Sequence, residues 1–356
     1  YGNDMQDRPG GVFIRDANGM PKEDIHLLYA AARIILKAEN GSIRAQLKVE
    51  DYAEELPEEK RFSGEILSYP SKEKPLGLDY FNDYGGFQKD GKAYVIRLKE
   101  DMHTPAPWIN VLSNKGFGCI VTESGSGFTW AENSRENKLT PWSNDPVSDT
   151  PGEAIYLRDE ENGEFWTITP LPVRRQETYT VYHGLGYSRF EHHSCGLEQE
   201  LTIFVSKEDP IKISRIKLKN ESSIPRKLTL TYYANPVMGV SEGNTKPYLI
   251  TQMDAEKEMM MIRNPYSMDF PGRILFMASS EPIQSWTGDR EAFLGMRGSM
   301  KNPAALKREG LSNRTGAGLD PCAAIQIEIE IEPDEQKECV FLMGQAQDRD
   351  EAYQWV

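Results

Sequence analysis

The sequence predicts a mainly β protein: a large antiparallel β-sandwich preceded by a short helical segment and ending at the start of a helical linker. Three observations carry this prediction. Ile325, Ile327, Ile329 and Ile331 alternate with Gln326, Glu328, Glu330 and Glu332, the period of a strand with one buried and one wet face. Punctuation by 29 glycines and 22 prolines favours many turns over long helices, and Asn162-Gly163 is a strong hairpin signal. Strand-like runs follow one another with little helix between them, which selects an antiparallel sandwich over βαβ units.

Taken in order, residues 1–75 read as a helical lead-in and arm. Pro21 stands where a first helical residue should, with Glu23 and Asp24 in the first turn. Leu27, Leu28, Ala31, Ile34, Ile35 and Ala38 recur at helical spacing up to a stop at Asn40-Gly41. Residues 50–75 are charged and proline-spaced, as in a linker or irregular arm. The sandwich is expected over 76–344, with strands at 94–98, 108–112, 117–122, 127–130, 155–158 and 165–168. Ser-Gly-Ser-Gly at 124–127 reads as a hairpin-like turn, and Leu228, Leu230 and Tyr232 alternate as a further strand. Ile211 and Ile213 change phase to Ile216 and Leu218, which predicts a β-bulge. Residues 345–356 read as the start of a helical linker, and the expectation is a fragment of a longer polypeptide.

Composition narrows the partners. The chain has 356 residues, 38% of them hydrophobic, enough for a sizeable core and too apolar for a disordered chain. No apolar run approaches the roughly 18 residues of a membrane-spanning helix. The net charge of −14, with no basic block, argues against nucleic acid or an anionic membrane surface as the main partner. Cys119, Cys195, Cys322 and Cys339 are scattered without a Cys-x-x-Cys pair, so the expectation is reduced thiols in a cytoplasmic protein.

The richest stretch is the loop at 131–152, more than twenty residues without a core pattern. It and its flanks carry Trp130, Asn133, Arg135, Glu136, Asn137, Trp142, Asn144 and Asp145. Sugars need this mixture: an aromatic face covers the C–H side of a pyranose, and amides, carboxylates and guanidinium groups bind vicinal hydroxyls in pairs. The alternative is a self-supporting loop in which Arg135 pairs with Glu136 or Asp145. His183, His192 and His193 suggest a metal site only weakly, because adjacent strand residues point to opposite faces and no carboxylate or cysteine completes a familiar spacing. Gly125 and Gly127 are followed by neither lysine nor helix, which disfavours a nucleotide loop. The many acidic residues single out no carboxylate pair for glycoside chemistry.

Taken together, YFNDYGGF (80–87), the run from Thr104 to Asp159 with ESGSGFTWAENSRENKLTPWSNDP at its centre, and HGLGYSRFEHHS (183–194) resemble the amino-terminal sandwich of glycoside hydrolase family 94 enzymes. The resemblance is to the 1,2-β-oligoglucan phosphorylases and to the phosphorylase-like half of cyclic β-1,2-glucan synthases. It implies a sandwich, a helical linker, and an (α/α)6 barrel that holds the chemistry. In such enzymes a carboxylic acid protonates the glycosidic oxygen while phosphate attacks the anomeric carbon from the opposite face. Inorganic phosphate is then the co-substrate, and no other cofactor or metal is implied. The products are α-glucose 1-phosphate and a shortened β-1,2-glucan. The general acid is expected outside this chain, so no catalytic residue is assigned within it. Trp130, Asn133, Arg135, Glu136, Asn137, Trp142, Asn144 and Asp145 become the substrate-binding candidates. The implied partners are a β-1,2-linked glucooligosaccharide, the downstream barrel of the same polypeptide and, as in some relatives, a second subunit in a homodimer. Two other readings stay open: a segment of a membrane-associated cyclic glucan synthase, and a non-catalytic carbohydrate-binding or interaction module.

Overall fold

The computed structural model describes residues 13–32, 34–46, 56–66, 69 and 76–356. The chain divides into two compact units, residues 1–55 and 56–356. In the first, helix α1 spans Lys22–Ala31 with Pro21 at its N-cap rather than in its first turn, and α2 spans Ile43–Gln46. The stripe expected to stay helical to Asn40 breaks earlier, since Ala32 is extended. No residue of α1 is buried, so propensity alone must lengthen it, and β-branched Ile34 and Ile35 supply little. The Gln46 amide instead closes the following loop, accepting from Lys37 N and donating to the Lys37 and Gly41 carbonyls, each at 2.8 Å. The expected arm at 50–75 lies outside the described residues at 50–55, 67–68 and 70–75. Its described part belongs to the second unit and is tied into it: Lys60 N donates to Lys307 O, and Lys60 Nζ meets Glu160 at 2.5 Å.

Among its described residues the second unit holds eighteen strands: β1 Gly85–Phe87, β2 Ala93–Leu98, β3 Ile109–Ser113, β4 Phe117–Thr122, β5 Gly127–Ala131, β6 Glu153–Asp159, β7 Phe165–Thr167, β8 Tyr179–Gly184, β9 Tyr187–Ser194, β10 Leu197–Val205, β11 Ile211–Asn220, β12 Arg226–Ala234, β13 Ile250–Asp254, β14 Met259–Arg263, β15 Ile274–Ser279, β16 Ser285–Asp289, β17 Pro321–Ile331 and β18 Gln336–Ala346. Ten form one sheet in the order β1-β2-β8-β9-β10-β11-β18-β15-β14-β13. Five form a second sheet, β16-β17-β12-β6-β7, and β3-β4-β5 form a three-stranded meander. The named strands pair antiparallel throughout, so the fold is the mainly β antiparallel sandwich expected. Its core joins Ile96, Val181, Phe190, Leu201 and Ile216 of the large sheet to Leu157, Leu230, Tyr232, Ile325 and Ile327 of the smaller one.

Two strand readings need correction. β11 contains no bulge: its register runs unbroken against β10 from Asn220 to Lys212, and against β18. The hydrophobic phase changes because the cover changes. Ile216 and Leu218 face the sandwich core, whereas Ile211 and Ile213 pack in a separate cluster with Phe276, Met261 and Ala352. Lys212 and Ser214 occupy the inward positions there, and both are buried. Strand β17 is not wet along its whole polar face either. Gln326 is buried, accepting from Ser285 Oγ at 2.9 Å and donating to Thr231 Oγ1 at 3.0 Å, while Glu328 and Glu330 are exposed.

The outer face of the five-stranded sheet is covered in turn. Tyr156, Tyr233 and Ala324 pack under Phe293, Leu294, Leu306 and Leu311. Two short helices border this cover: α3, Glu242–Thr245, and α4, Arg290–Leu294, whose N-cap Asp289 accepts from Glu291 N and Ala292 N. A last helix, α5, spans Arg349–Gln354, with Asp348 Oδ1 capping Glu351 N at 2.9 Å.

Candidate functional site

The loop between β5 and β6 is built from its own polar side chains. Asn133 Oδ1 accepts from the backbone N of Arg135 and of Glu136, each at 2.9 Å, which folds the first turn. Asn137 is buried, its amide donating to Ala131 O at 3.0 Å and Gln345 Oε1 at 2.7 Å, so it supports the loop from within. Lys138 Nζ donates to Arg135 O and Val240 O. Leu139 is fully buried. Beyond it, Asp145 accepts from Val147 N, Ser148 N and Ser148 Oγ, and these bonds hold its carboxyl below the usual carboxylate range. Asp149 closes the far end against Thr122 Oγ1 at 2.7 Å and against Ser124.

Underneath lies a buried polar cluster. Thr140 Oγ1 donates to Glu153 Oε1 at 2.8 Å, Tyr232 donates to Glu153 Oε2 at 2.7 Å, and Lys212 is ion-paired with the same carboxylate. Thr129 completes the cluster, donating to Glu153 and accepting from Lys212, each at 2.7 Å. Burial alone would raise the Glu153 carboxyl, but Lys212 and the hydroxyl donors outweigh it and hold it below its ordinary value. The loop is therefore tied to a rigid anchor.

The remaining candidates face outward. Trp142 is 47% exposed, its ring stacked on Phe128 at 5.2 Å and 11°. Trp130 is half-buried and packs against the other side of the same cluster, 5.1 Å from Phe128. Arg135 is exposed, its Nε 3.4 Å from Glu136 Oε1. This is the internal pair the self-supporting alternative names, but as a solvated contact it holds little. Asn144 is exposed, with φ of 47°.

Beside Trp142 a cavity of about 460 Å³ opens between the loop and the end of β12. Trp142, Thr150, Asn235, Glu242 and Arg290 are among the residues that line it. The sequence reading missed these last three. They sit about ninety to a hundred and fifty residues beyond the loop, just past β12, on α3 and on α4 respectively. The polar Asn235-Pro236 step just past an otherwise buried strand was the one local sign. A second cavity of about 250 Å³ lies on the large sheet, but charged side chains lining it pair with one another, as in Lys219–Glu221 at 3.6 Å and His193–Glu221 at 2.8 Å.

The three histidines have separate roles. His183 bonds Ser188 Oγ and Trp108 O, each at 3.0 Å, and burial lowers its pKa to about 4. His192 faces the opposite side of β9 from His193 and stacks on Tyr179 at 3.9 Å, with its pKa lowered by burial to about 3. Among the described residues no group of three His, Cys, Asp or Glu side chains is placed to hold a metal.

Comparison with known proteins agrees with this architecture. The family model for the glycosyl hydrolase 94 supersandwich domain matches residues 92–356. The chain is 36% identical over 352 residues to the cyclic beta-(1,2)-glucan synthase NdvB of Rhizobium meliloti, covering 96% of this chain and 12% of that protein. It is 27% identical over 269 residues to the N,N'-diacetylchitobiose phosphorylase of Vibrio furnissii, covering 73% of this chain and 33% of that one. It is 27% identical over 274 residues to the solabiose phosphorylase of Paenibacillus borealis, covering 74% and 35% respectively. The chain thus spans 12% of the first relative and about a third of the other two. A sandwich of this topology and a family match running from the start of β2 to the last residue lead to one conclusion: the chain belongs to the glycosyl hydrolase 94 supersandwich family.

Proposed function

We propose that this chain is the substrate-cleft-forming sandwich of an inverting phosphorylase. That enzyme converts a β-1,2-glucooligosaccharide and inorganic phosphate into α-glucose 1-phosphate and a shortened glucan. The observation that carries the reading is the anchored loop at 131–152. It presents exposed Trp142 and the Arg135–Glu136 pair from a base fixed on Glu153 and Lys212. Such a base suits a cleft wall, because a binding surface gains most when its ordering is complete before the ligand arrives. The general acid and the phosphate site belong to a catalytic barrel of the same polypeptide, and a homodimer is the assembly this reading admits. The proposed location is the cytoplasm. Among the described residues no helix is long and apolar enough to cross a membrane.

One observation favours a second reading, a segment of a cyclic β-1,2-glucan synthase. The alignment to the synthase covers 96% of this chain, whereas those to the two phosphorylases cover 73% and 74%. The deciding experiment supplies linear β-1,2-glucan and phosphate to a longer polypeptide containing this chain, and assays glucose 1-phosphate. Its appearance supports the phosphorylase. Cyclic glucan made from a nucleotide-sugar donor, with no glucose 1-phosphate, replaces that reading with the synthase.

A further inference from the structure

The first half of the loop is fastened to the ten-stranded sheet by a buried pair of amides. Asn137 and Gln345, 208 positions apart, are 2% and 4% exposed. Asn137 Nδ2 donates to Gln345 Oε1 at 2.7 Å, and Gln345 Nε2 donates back to Asn137 Oδ1 at 3.4 Å. On the loop side Asn137 closes the turn that presents Arg135 and Glu136: its N donates to Asn133 O at 3.0 Å, and Ala131 N donates to Asn137 O at 3.2 Å. On the strand side Gln345 stands near the end of β18, its N fixed on Pro210 O at 3.2 Å and its backbone paired with Leu275 of β15. Successive strand residues point to opposite faces. Gln345 therefore reaches the loop, while Ala346 packs on the other face with Ala352 of α5. A neighbouring ion pair, Glu132–Arg273, has its carboxylate side chain 47% exposed and holds less.

We propose that Gln345 is a positioning residue for the substrate loop. Through Asn137 it sets the Arg135–Glu136 turn against the strand end that carries α5. The inference rests on the function proposed above. A cleft wall contributes when it stands in register with the catalytic groups it faces, and a misplacement of about 1 Å costs up to roughly a hundredfold in rate. Those groups are assigned to a downstream barrel, and the chain leaves the sandwich through α5. The route from the turn to α5, by way of Asn137, Gln345 and Ala346, is buried at each step. Two amides suit such a joint. Each offers a donor and an acceptor, so the pair fixes orientation as well as distance, and neither strands a charge in the core. Gln345 is too deeply buried to touch sugar itself, so it acts through the loop.

The test has two arms. In this 356-residue chain, hydrogen exchange is followed in Gln345→Met, which keeps the side-chain length and loses both amide bonds. The amides of residues 135–138 are expected to exchange about tenfold faster than in the parent, with those of β11 and β12 within about twofold. In the longer polypeptide, phosphorolysis of linear β-1,2-glucan and of the β-1,2-linked disaccharide sophorose is expected to show KM raised about three- to tenfold with kcat within about twofold. A purely structural residue would lower the folded fraction, and so kcat, and leave KM alone. Adding Arg135→Ala to Gln345→Met should raise KM no further than Arg135→Ala alone, since both act at one turn. Unchanged exchange at 135–138, KM unchanged with kcat lowered, or additive effects in the double variant each overturn the proposal. Should Gln345→Met misfold, Asn137→Ala removes the same pair from the loop side, and parental loop exchange in that variant overturns the proposal as well. If the longer polypeptide forms no glucose 1-phosphate, the phosphorylase reading falls, and the exchange arm by itself decides whether Gln345 holds the loop.

Discussion

Arg135 and Glu153 place charge at the two ends of one loop, with different consequences. Arg135 is exposed and its partner is solvated, so Arg135→Ala should leave stability within about 0.5 kcal/mol of the parent. In the longer polypeptide the same variant should lose roughly 1.5–3 kcal/mol of glucan binding, the worth of a charge-assisted hydrogen bond. A large fall in melting temperature with activity intact would make Arg135 structural. Lys212 is the opposite case. Lys212→Met strands the Glu153 carboxylate in the core and should destabilise by about 3–5 kcal/mol, with part recovered when Glu153→Gln is added. Chemical denaturation of the two singles and the double checks this. Two buried histidines contribute to the pH response. Burial lowers the pKa of His183 to about 4 and of His192 to about 3, from an ordinary 6.5. The unfolded chain therefore takes up protons first, so their contribution is complete above about pH 6.5 and declines as pH falls toward 4 and 3. The slope for each group is at most about 1.4 kcal/mol per pH unit. Urea midpoints measured from pH 7 to pH 4 should fall, and His183→Asn should flatten part of that fall.

At the scale of elements, the hairpin of β4 and β5 and the loop after it behave as one piece. The turn needs glycine twice: Gly125 has φ of 88° and Gly127 of 135°, and a Cβ on Gly127 would lie 1.9 Å from Ile120 O. Gly127→Ala should cost at least about 1–3 kcal/mol and disturb the register that seats Phe128 under Trp142. Thr140→Val removes the loop's hydroxyl bond to Glu153 and should cost about 1–2 kcal/mol, with a larger proportional loss in sugar binding than in stability. Calorimetric unfolding set beside sophorose titration separates the two effects. The β4 strand was legible from its pattern, with bounds at Phe117 and Thr122 as read. Strand β11 was not, because a period-two rule assumes that one face meets one kind of cover. Here Ile211 and Ile213 lie under α5 while Lys212 faces the core.

For the whole molecule, the role proposed for the sandwich is a cleft wall, with no catalytic group assigned to it. This chain alone, given β-1,2-glucan and phosphate, should release no glucose 1-phosphate, while the longer polypeptide should. Activity in the chain alone would place a general acid within these residues, and Glu123 would be the first carboxylate to examine. It lies beside the loop, and burial raises its pKa despite bonds from Thr104 and Trp108 N.

The amino-acid sequence by itself determined the fold class, most strand positions and the family. Alternation, turn residues and the 124–149 motif are local properties, and local properties survive in a one-dimensional string. It also marked the loop at 131–152 as the candidate binding surface. Only the tertiary structure decided what each residue of that loop does. Asn133, Asn137 and Asp145 hold the backbone, whereas Arg135 and Trp142 face solvent. That division depends on partners far along the chain, such as Gln345 for Asn137, and on which face each neighbour covers. The cavity of Asn235, Glu242 and Arg290 was invisible for the same reason. Its members have no common spacing, and they come from just past β12, from α3 and from α4.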